Sequence, residues 1–173
     1  VEGSMGTDDT YGHGTAVASI ILENAPDTEL VALVSSVYEH GRLKQVDADT
    51  FAGIIIDAVD VYGCDVINIS AGFAADVESV RLAVEYAAQK GVVVVASAGN
   101  DYVENPDVKY YPAAYDGVIA VGSMNESRTA ISDFSQRGEW VDMYECGENI
   151  TVRTLSGDSR EVSGTSYAAA GVT

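Results

Sequence analysis

The sequence has few prolines, few cysteines and no long apolar run. It contains 3 Pro and 2 Cys among 173 residues. The two cysteines, Cys64 and Cys146, are too few for a disulfide framework and lack the spacing of metal ligands. No stretch approaches the roughly 18 apolar residues of a membrane-spanning helix. The sequence as given has no basic amino-terminal region followed by an apolar stretch, so we expect no signal peptide in it.

Basic residues are also scarce, with 9 Lys and Arg against 27 Asp and Glu, and the formal net charge is −18. Phosphates would be repelled rather than neutralised, so nucleic acid is not an expected partner. Residues 45–80 hold seven acids and no base. This stretch is either a solvated helix face and loop, or a surface that steers a basic partner or a cation.

The apolar content indicates a folded domain. With 47% hydrophobic and 21% charged residues, the chain cannot be a disordered acidic tail, which lacks the apolar residues to offset chain entropy. A length of 173 residues fits a single domain over residues 1–173 with a real core.

Helical and strand patterns alternate along the chain. Helices are predicted after Gly14, over residues 51–62 and over residues 77–88, where apolar residues recur at i, i+3, i+4 and i+7; Gly91 is expected to end the last of them. Short apolar runs at residues 30–37, 65–70, 92–96 and 118–122 predict buried strands, and a hairpin is expected around Gly157 and Asp158. Apolar strands separated by amphipathic helices indicate an α/β fold, a mainly parallel sheet in a three-layer α/β/α arrangement.

Three polar segments could carry chemistry, because sites of open parallel sheets lie at the carboxyl ends of the strands. Asn100 follows the apolar run at 92–96 and is either a turn residue or an amide donor to an oxyanion. His13, between two glycines, is either a helix-start residue or a general base, whereas His40 lies in a polar turn. Ser166, at the start of a small-residue helix, is either a simple helix cap or a nucleophile.

Five motifs in order turn these weak signals into a strong one. They are G-H-G-T at 12–15, D-V-I-N-I-S-A-G at 65–72, V-V-V-V-A-S-A-G-N at 92–100, Y-P-A-A-Y-D-G-V-I-A-V-G at 111–122 and G-T-S-Y-A-A at 164–169. From about residue 10 to residue 173 the chain resembles the subtilisin-like serine proteases, or subtilases. The resemblance implies a serine endopeptidase that works through an acyl-enzyme.

The resemblance also implies roles for individual residues. His13 would be the general base and Ser166 the nucleophile, and Asn100 would stabilise the oxyanion together with the backbone N–H of Ser166. Asp101, at the pocket mouth, would favour a basic or polar residue before the scissile bond. The residues implied to bind substrate are Ser70, Ala71, Gly72, Ala96, Ser97, Ala98, Gly99 and Asp101.

The sequence departs from the family pattern at the aspartate of the triad. In the family this aspartate ends a strand well upstream of the histidine, but only twelve residues precede His13. Asp8 and Asp9 are too close to His13 in sequence to take a strand-borne role. The family places that strand between those matching residues 30–37 and 65–70. We therefore expect either part of a larger catalytic domain, truncated at both ends, or an oligomer that exchanges a strand.

Further expectations follow from the same resemblance. This chain alone would be nearly inactive, and the alternative is a non-catalytic subtilase-like module used for binding or scaffolding. The partner would be a peptide or protein substrate, with no nucleic acid and no membrane. No cofactor is needed; structural calcium is possible, but Glu104, Asp107 and Asp116 are more simply surface acids. Family members are mostly exported, so a secreted or cell-surface location is favoured, although the sequence carries no address.

Overall fold

A computed structural model describes residues 9–173. In chain order its elements are α1 (His13–Asn24), β1 (Ser36–Glu39), β2 (Arg42–Gln45), α2 (Ala48–Asp60), β3 (Val66–Ile69), α3 (Glu78–Gln89), β4 (Val93–Ser97), β5 (Val118–Met124), β6 (Met143–Cys146), β7 (Ile150–Arg153), β8 (Ser159–Val162) and α4 (Thr165–Val172). The helices predicted after Gly14, over 51–62 and over 77–88 correspond to α1, α2 and α3.

The main sheet has four strands in the order β3-β4-β5-β6. All neighbouring pairs are parallel, and Ile69 lies opposite Ala96 in the register of β3 and β4. A parallel pair needs a crossover connection, and α3 supplies the one between β3 and β4. The parallel sheet confirms the α/β fold that the apolar runs predicted.

Helices cover both faces of this sheet. Alternate residues of β4 point to opposite sides: Val94 packs in a core with α2 and α3, whereas Val95 packs in a second core with Ala168 and Ala169 of α4. β5 alternates in the same way, with Val121 on the α4 side. Because both faces of the strands are buried, their apolar character is continuous rather than alternating. This is the predicted three-layer arrangement.

The first helix packs outside α4 and not on the sheet itself. Ala16 and Ile20 of α1 contact Tyr167 and Ala170 of α4 in a third core, together with Val152 of the β7–β8 hairpin. The hairpin closes at Gly157, whose φ of 86° is favourable for glycine. The predicted hairpin is thus confirmed, and the Arg153 N–H at the end of β7 donates to the Ser19 hydroxyl of α1 at 3.0 Å.

The prediction of a buried strand over residues 30–37 is wrong. Residues 30–35 are not in a strand, Leu30 is 38% exposed, and β1 begins only at Ser36, where it pairs with β2 in a hairpin. A strand forms only where a neighbour accepts its backbone hydrogen bonds. In the described part of the chain, β3 pairs with β4 alone, and Val66 is 41% exposed at that open edge. The apolar run at 30–35 does not pair with that open edge, so it stays outside the sheet.

The turn between β1 and β2 behaves as its composition suggests. His40 and Gly41 connect β1 to β2 with φ values of 50° and 77°. Positive φ at both central residues is typical of a type I′ hairpin turn. His40 is exposed there, as predicted, and lies in a different part of the sequence from the candidate catalytic residues.

Candidate active site

A cleft opens where β3 and β4 end and α4 begins. Its volume is about 200 Å³. The lining residues are Ser70, Ala71, Gly72, Ser97, Gly99, Asn100, Asp101, Tyr110, Thr165 and Ser166. Most of the predicted substrate-binding residues line it. Ala96 and Ala98 do not, because both side chains are fully buried behind the wall.

Ser166 lies in the first turn of α4, and a glycine makes its position possible. Gly164, the residue before the helix, has φ 156° and ψ 155°, a region that residues with a Cβ rarely adopt. Its N–H donates to the carbonyl of Gly147 at 2.8 Å, which ties the turn to the segment after β6. The first N–H groups of a helix have no intrahelical partner, so a nucleophile here lies close to free backbone donors.

The Asn100 amide is held in one orientation by Thr165. Its Oδ1 accepts from the backbone N–H of Thr165 at 2.8 Å and from the Thr165 hydroxyl at 2.9 Å. The same hydroxyl accepts from the N–H of Gly99 at 3.1 Å. With Oδ1 engaged, the Nδ2 donor makes no hydrogen bond to any residue between 9 and 173 and stays available on an exposed side chain. Sequence reasoning missed Thr165, although it stands next to the candidate serine.

Two reciprocal hydrogen bonds join Ser166 to the wall of the cleft. The Ser166 hydroxyl donates to the carbonyl of Ser70 at 3.4 Å, and the Ser70 hydroxyl donates to the carbonyl of Ser166 at 2.9 Å. The Asn68 amide donates to the Ser70 hydroxyl at 3.0 Å, and Thr173 at the end of α4 donates to Asn68 Oδ1 at 3.0 Å. The end of β3 and both ends of α4 thus form one hydrogen-bonded unit.

His13 begins α1 beside the residue that follows Ser166. Its ring lies 5.8 Å from that of Tyr167, centroid to centroid, with an interplanar angle of 46°. It makes no hydrogen bond to the Ser166 hydroxyl in the described residues, which is common for catalytic pairs without substrate. Burial lowers the pKa of His13 and the charge of Arg160 lowers it further, whereas Asp9 opposes them. The ring is therefore neutral, and able to accept a proton, at neutral pH.

Asp9 caps the helix that carries His13. Its carboxylate accepts from the N–H of Tyr11 (3.0 Å), of Gly12 (2.7 Å) and of Thr15 (2.7 Å), and from the Thr15 hydroxyl (2.8 Å). Burial would raise the pKa of Asp9, but these hydrogen bonds outweigh it and lower the pKa. Both carboxylate oxygens accept hydrogen bonds from the start of α1 and neither bonds the imidazole. Asp9 therefore does not take the place of the triad aspartate. Asp8 lies outside the described residues.

A tyrosine that the sequence did not single out shares the cleft with Asp101. The Tyr110 hydroxyl donates a hydrogen bond to Asp101 Oδ2. This bond, with burial and the aspartate charge, raises the pKa of Tyr110 to about 12. The phenol therefore keeps its proton throughout the neutral range, and the carboxylate is held at the rim of the cleft.

The described residues do not offer a metal site built from side chains. Between residues 9 and 173, no group of three or more His, Cys, Asp or Glu is arranged to hold an ion. Glu104, Asp107 and Asp116 are all exposed. Calcium also takes backbone carbonyl, amide and water oxygens, so structural calcium stays a prediction. No helix in the same part of the chain is long and apolar enough to cross a bilayer.

Comparisons with known proteins identify a family and several relatives. The sequence model of the Subtilase family matches residues 3–173. The chain is 34% identical over 174 residues to the major intracellular serine protease of Bacillus subtilis (strain 168), covering 93% of the chain and 52% of that protein. It is 34% identical over 164 residues to the minor extracellular protease Epr of the same organism, covering 92% of the chain and 25% of that protein. Relatives therefore occur both inside and outside cells, and the likeness assigns no compartment.

A solved structure supports the fold. The crystal structure of a lanthipeptide protease superimposes with a TM-score of 0.80 at 26% identity, over 96% of this chain and 60% of that one. The chain thus spans between 25% and 60% of the length of these similar proteins.

Proposed function

Because the chain belongs to the subtilase family, we propose that the protein is a serine endopeptidase that hydrolyses peptide bonds through an acyl-enzyme. The observation that carries the proposal is the pairing of Ser166 with Asn100 in one cleft. Two hydrogen bonds from Thr165 orient the Asn100 amide, so that its free Nδ2 can face the carbonyl that Ser166 attacks.

The chemistry follows from three groups. The Ser166 hydroxyl attacks the peptide carbonyl while its proton passes to the neutral His13 ring. The resulting oxyanion accepts hydrogen bonds from Asn100 Nδ2 and from the Ser166 N–H, whose strength rises as charge develops. The protonated His13 then gives its proton to the leaving amine, and a water molecule attacks the acyl-enzyme by the same route in reverse.

The carboxylate that would orient the imidazole is not found within the described residues. Asp9, the acid whose charge acts on His13, is engaged by the amino terminus of α1. Loss of the orienting carboxylate costs serine proteases about 10⁴ in rate. We therefore propose that the chain as given retains an activated but slow nucleophile, and that a separate carboxylate is needed for full activity.

The walls of the cleft would bind the substrate as a short extended strand. Ser70 to Gly72 form one side and Ser97 to Gly99 the other. We propose that Asp101 favours a basic residue before the scissile bond. The ratio of Lys to Phe cleavage should fall at least tenfold in Asp101→Asn, and an unchanged ratio would reject this role.

A specific observation favours the alternative of a non-catalytic binding module. The Ser166 hydroxyl donates to the Ser70 carbonyl and not to His13. In a binding module this contact would persist, and the serine would be no more reactive than a free alcohol.

A fluorophosphonate probe separates the two functions, because it reacts only with an activated serine. The proposal expects slow labelling at Ser166, absent in Ser166→Ala and reduced at least tenfold in His13→Ala and Asn100→Ala. Thr151→Ala, on an exposed position of β7, is the matched control and should label like the unmodified chain. Absence of labelling, or labelling that ignores His13, would assign the chain to the binding class.

A further inference from the structure

Two glycines face each other across the cleft, and Tyr110 lies where a side chain of one of them would be. A Cβ placed on Gly99 would lie 2.9 Å from Tyr110 Cε2 and 3.1 Å from its Cγ, and nearer still to Cδ2. On the opposite wall, a Cβ placed on Gly72 would lie 2.8 Å from the Tyr111 carbonyl and 3.8 Å from Tyr110 Cβ. The phenol ring therefore packs closely against Gly99, beside the cleft that both glycines line.

Contacts at both ends hold the ring there. Tyr111 pairs with Phe73 through two backbone hydrogen bonds of 2.8 and 2.9 Å, which fixes the chain beside the first wall. At the other end the phenol hydroxyl bonds Asp101 at the rim. The backbone pairing and the packing against Gly99 set the position of the ring, and the hydrogen bond at its tip fixes the carboxylate beside it.

The ring also limits what the cleft can accept. The whole cavity measures about 200 Å³, and this volume includes the space next to Ser166 and Asn100 where a peptide carbonyl must sit. Little depth is left for the side chain that precedes the scissile bond. A short side chain, or an unbranched one running along the ring toward Asp101, fits this shape, whereas a second aromatic ring does not.

We propose that Tyr110 determines the specificity of the cleft: it excludes aromatic side chains before the scissile bond and admits short or unbranched ones. A terminal amine on such a side chain would pair with the Asp101 carboxylate. This inference rests on the proposed function, because it takes the cleft to be a peptide site. In this proposal the ring of Tyr110 closes the pocket, and its hydroxyl positions the Asp101 carboxylate.

The test measures peptide binding, so that it does not depend on catalysis. Three hexapeptides that differ only in the residue before the scissile bond (Ala, Lys or Phe) are titrated into the Ser166→Ala chain and followed by NMR. When Tyr110→Ala is introduced into the Ser166→Ala chain, the affinity for the Phe peptide should rise relative to the Ala peptide by about tenfold or more. Burial of an aromatic side chain supports a gain of this size. Tyr110→Phe keeps the ring, so the Phe-to-Ala ratio should stay within twofold.

The two variants separate volume from hydrogen bonding. A Tyr110→Ala ratio within twofold of the parent, or a Tyr110→Phe ratio that moves as far as that of Tyr110→Ala, would overturn the proposal, as would binding of none of the peptides. Far-UV circular dichroism checks that Tyr110→Ala folds, and Tyr110→Leu gives a second, better-packed reading of the lost ring. If the Phe-to-Ala binding ratio shifts as expected but the probe does not label Ser166, the peptidase proposal is rejected and the role of Tyr110 stands. If Ser166 is labelled but the ratio does not shift, the role of Tyr110 is rejected and the peptidase proposal stands.

Discussion

Replacing Asp9 by alanine should loosen the first turn of α1, the helix that begins with His13. Asp9 accepts three backbone N–H groups and one hydroxyl, from Tyr11, Gly12 and Thr15, at 2.7 to 3.0 Å. The N–H groups of Gly12 and Thr15 belong to the set that a helix start leaves without partners. With the carboxylate gone, those groups must turn to water, and the imidazole loses its fixed support.

The expected cost is about 2 kcal/mol of unfolding free energy, at the upper end of measured losses for helix caps, because one side chain serves four donors. Partial exposure to solvent keeps the value from rising further. Asp9→Asn retains one acceptor oxygen and should lose about 1 kcal/mol, roughly half of that range.

The effect should depend on pH in a definite direction. Hydrogen bonding lowers the pKa of Asp9 below its ordinary 3.8 in the folded state, despite the opposing effect of burial. A group with a lowered folded pKa stabilises the fold above its unfolded pKa, and this contribution is lost as pH falls through the folded value. Urea unfolding should therefore separate the parent from Asp9→Ala fully at pH 7, and the gap should shrink below about pH 3.8.

A second cap supplies the matched control. Asp47 caps α2 in a similar way, through the N–H and the hydroxyl of Thr50. Asp47→Ala should also lower stability, but only Asp9→Ala should lower the pKa of His13, since the Asp9 charge raises it. NMR titration of the two histidines measures this directly. A His13 pKa that moves equally in both variants, or in neither, would refute the link between the cap and the base.

Three other outcomes test separate parts of the molecule. Arg160→Gln should raise the NMR pKa of His13, because burial and the Arg160 charge both depress it; a fall would contradict the assignment. Ser70→Ala should slow probe labelling of Ser166 about fivefold, the equivalent of one hydrogen bond of about 1 kcal/mol, with the pH midpoint unchanged. If the open edge of β3 recruits a second copy, sedimentation should show concentration-dependent association that Val66→Lys abolishes; a chain that is monomeric at every concentration rejects strand exchange.

Local patterns predicted most of the helices and strands. In α2 the buried residues Phe51, Ile55 and Ala58 fall on the expected face, and in α3 the chain turns at Gly91 with φ 81°. These elements are decided by spacing within one turn or two of the chain. The helix predicted over 51–62 extended too far at its carboxyl end, because α2 ends at Asp60 and Tyr62 is 52% exposed.

Pairing between distant segments could not be predicted in the same way. Residues 30–37 have the composition of a buried strand, yet a strand also requires a neighbour, and composition does not show whether one is present. The exposure of β3 has the same explanation. Val66 belongs to an apolar run but is 41% exposed, because β3 pairs on one side only within residues 9–173. Burial here is a property of the assembled sheet.

The candidate site shows the same division. The motifs around Asn100 and Ser166 were visible in the sequence, but the contacts that orient them join residues 65 and 96 positions apart. Thr165 and Tyr110 gave no signal of their own, since a threonine and a tyrosine are ordinary residues until the fold places them against Asn100 and Gly99. The sequence motifs therefore named the candidate reacting groups and missed the residues that hold them.

These contacts join Ser166 and Asn100, the candidate nucleophile and oxyanion donor, in a single hydrogen-bonded unit. Thr165 bonds the Asn100 amide and the Gly99 backbone, while Ser70 bonds the carbonyl of Ser166, so a shift of α4 moves all of them together. Residues that share one hydrogen-bond network do not contribute independently. Removing the Thr165 hydroxyl and the Ser70 hydroxyl together should therefore cost less than the sum of the two single losses, because either loss already frees the start of the helix.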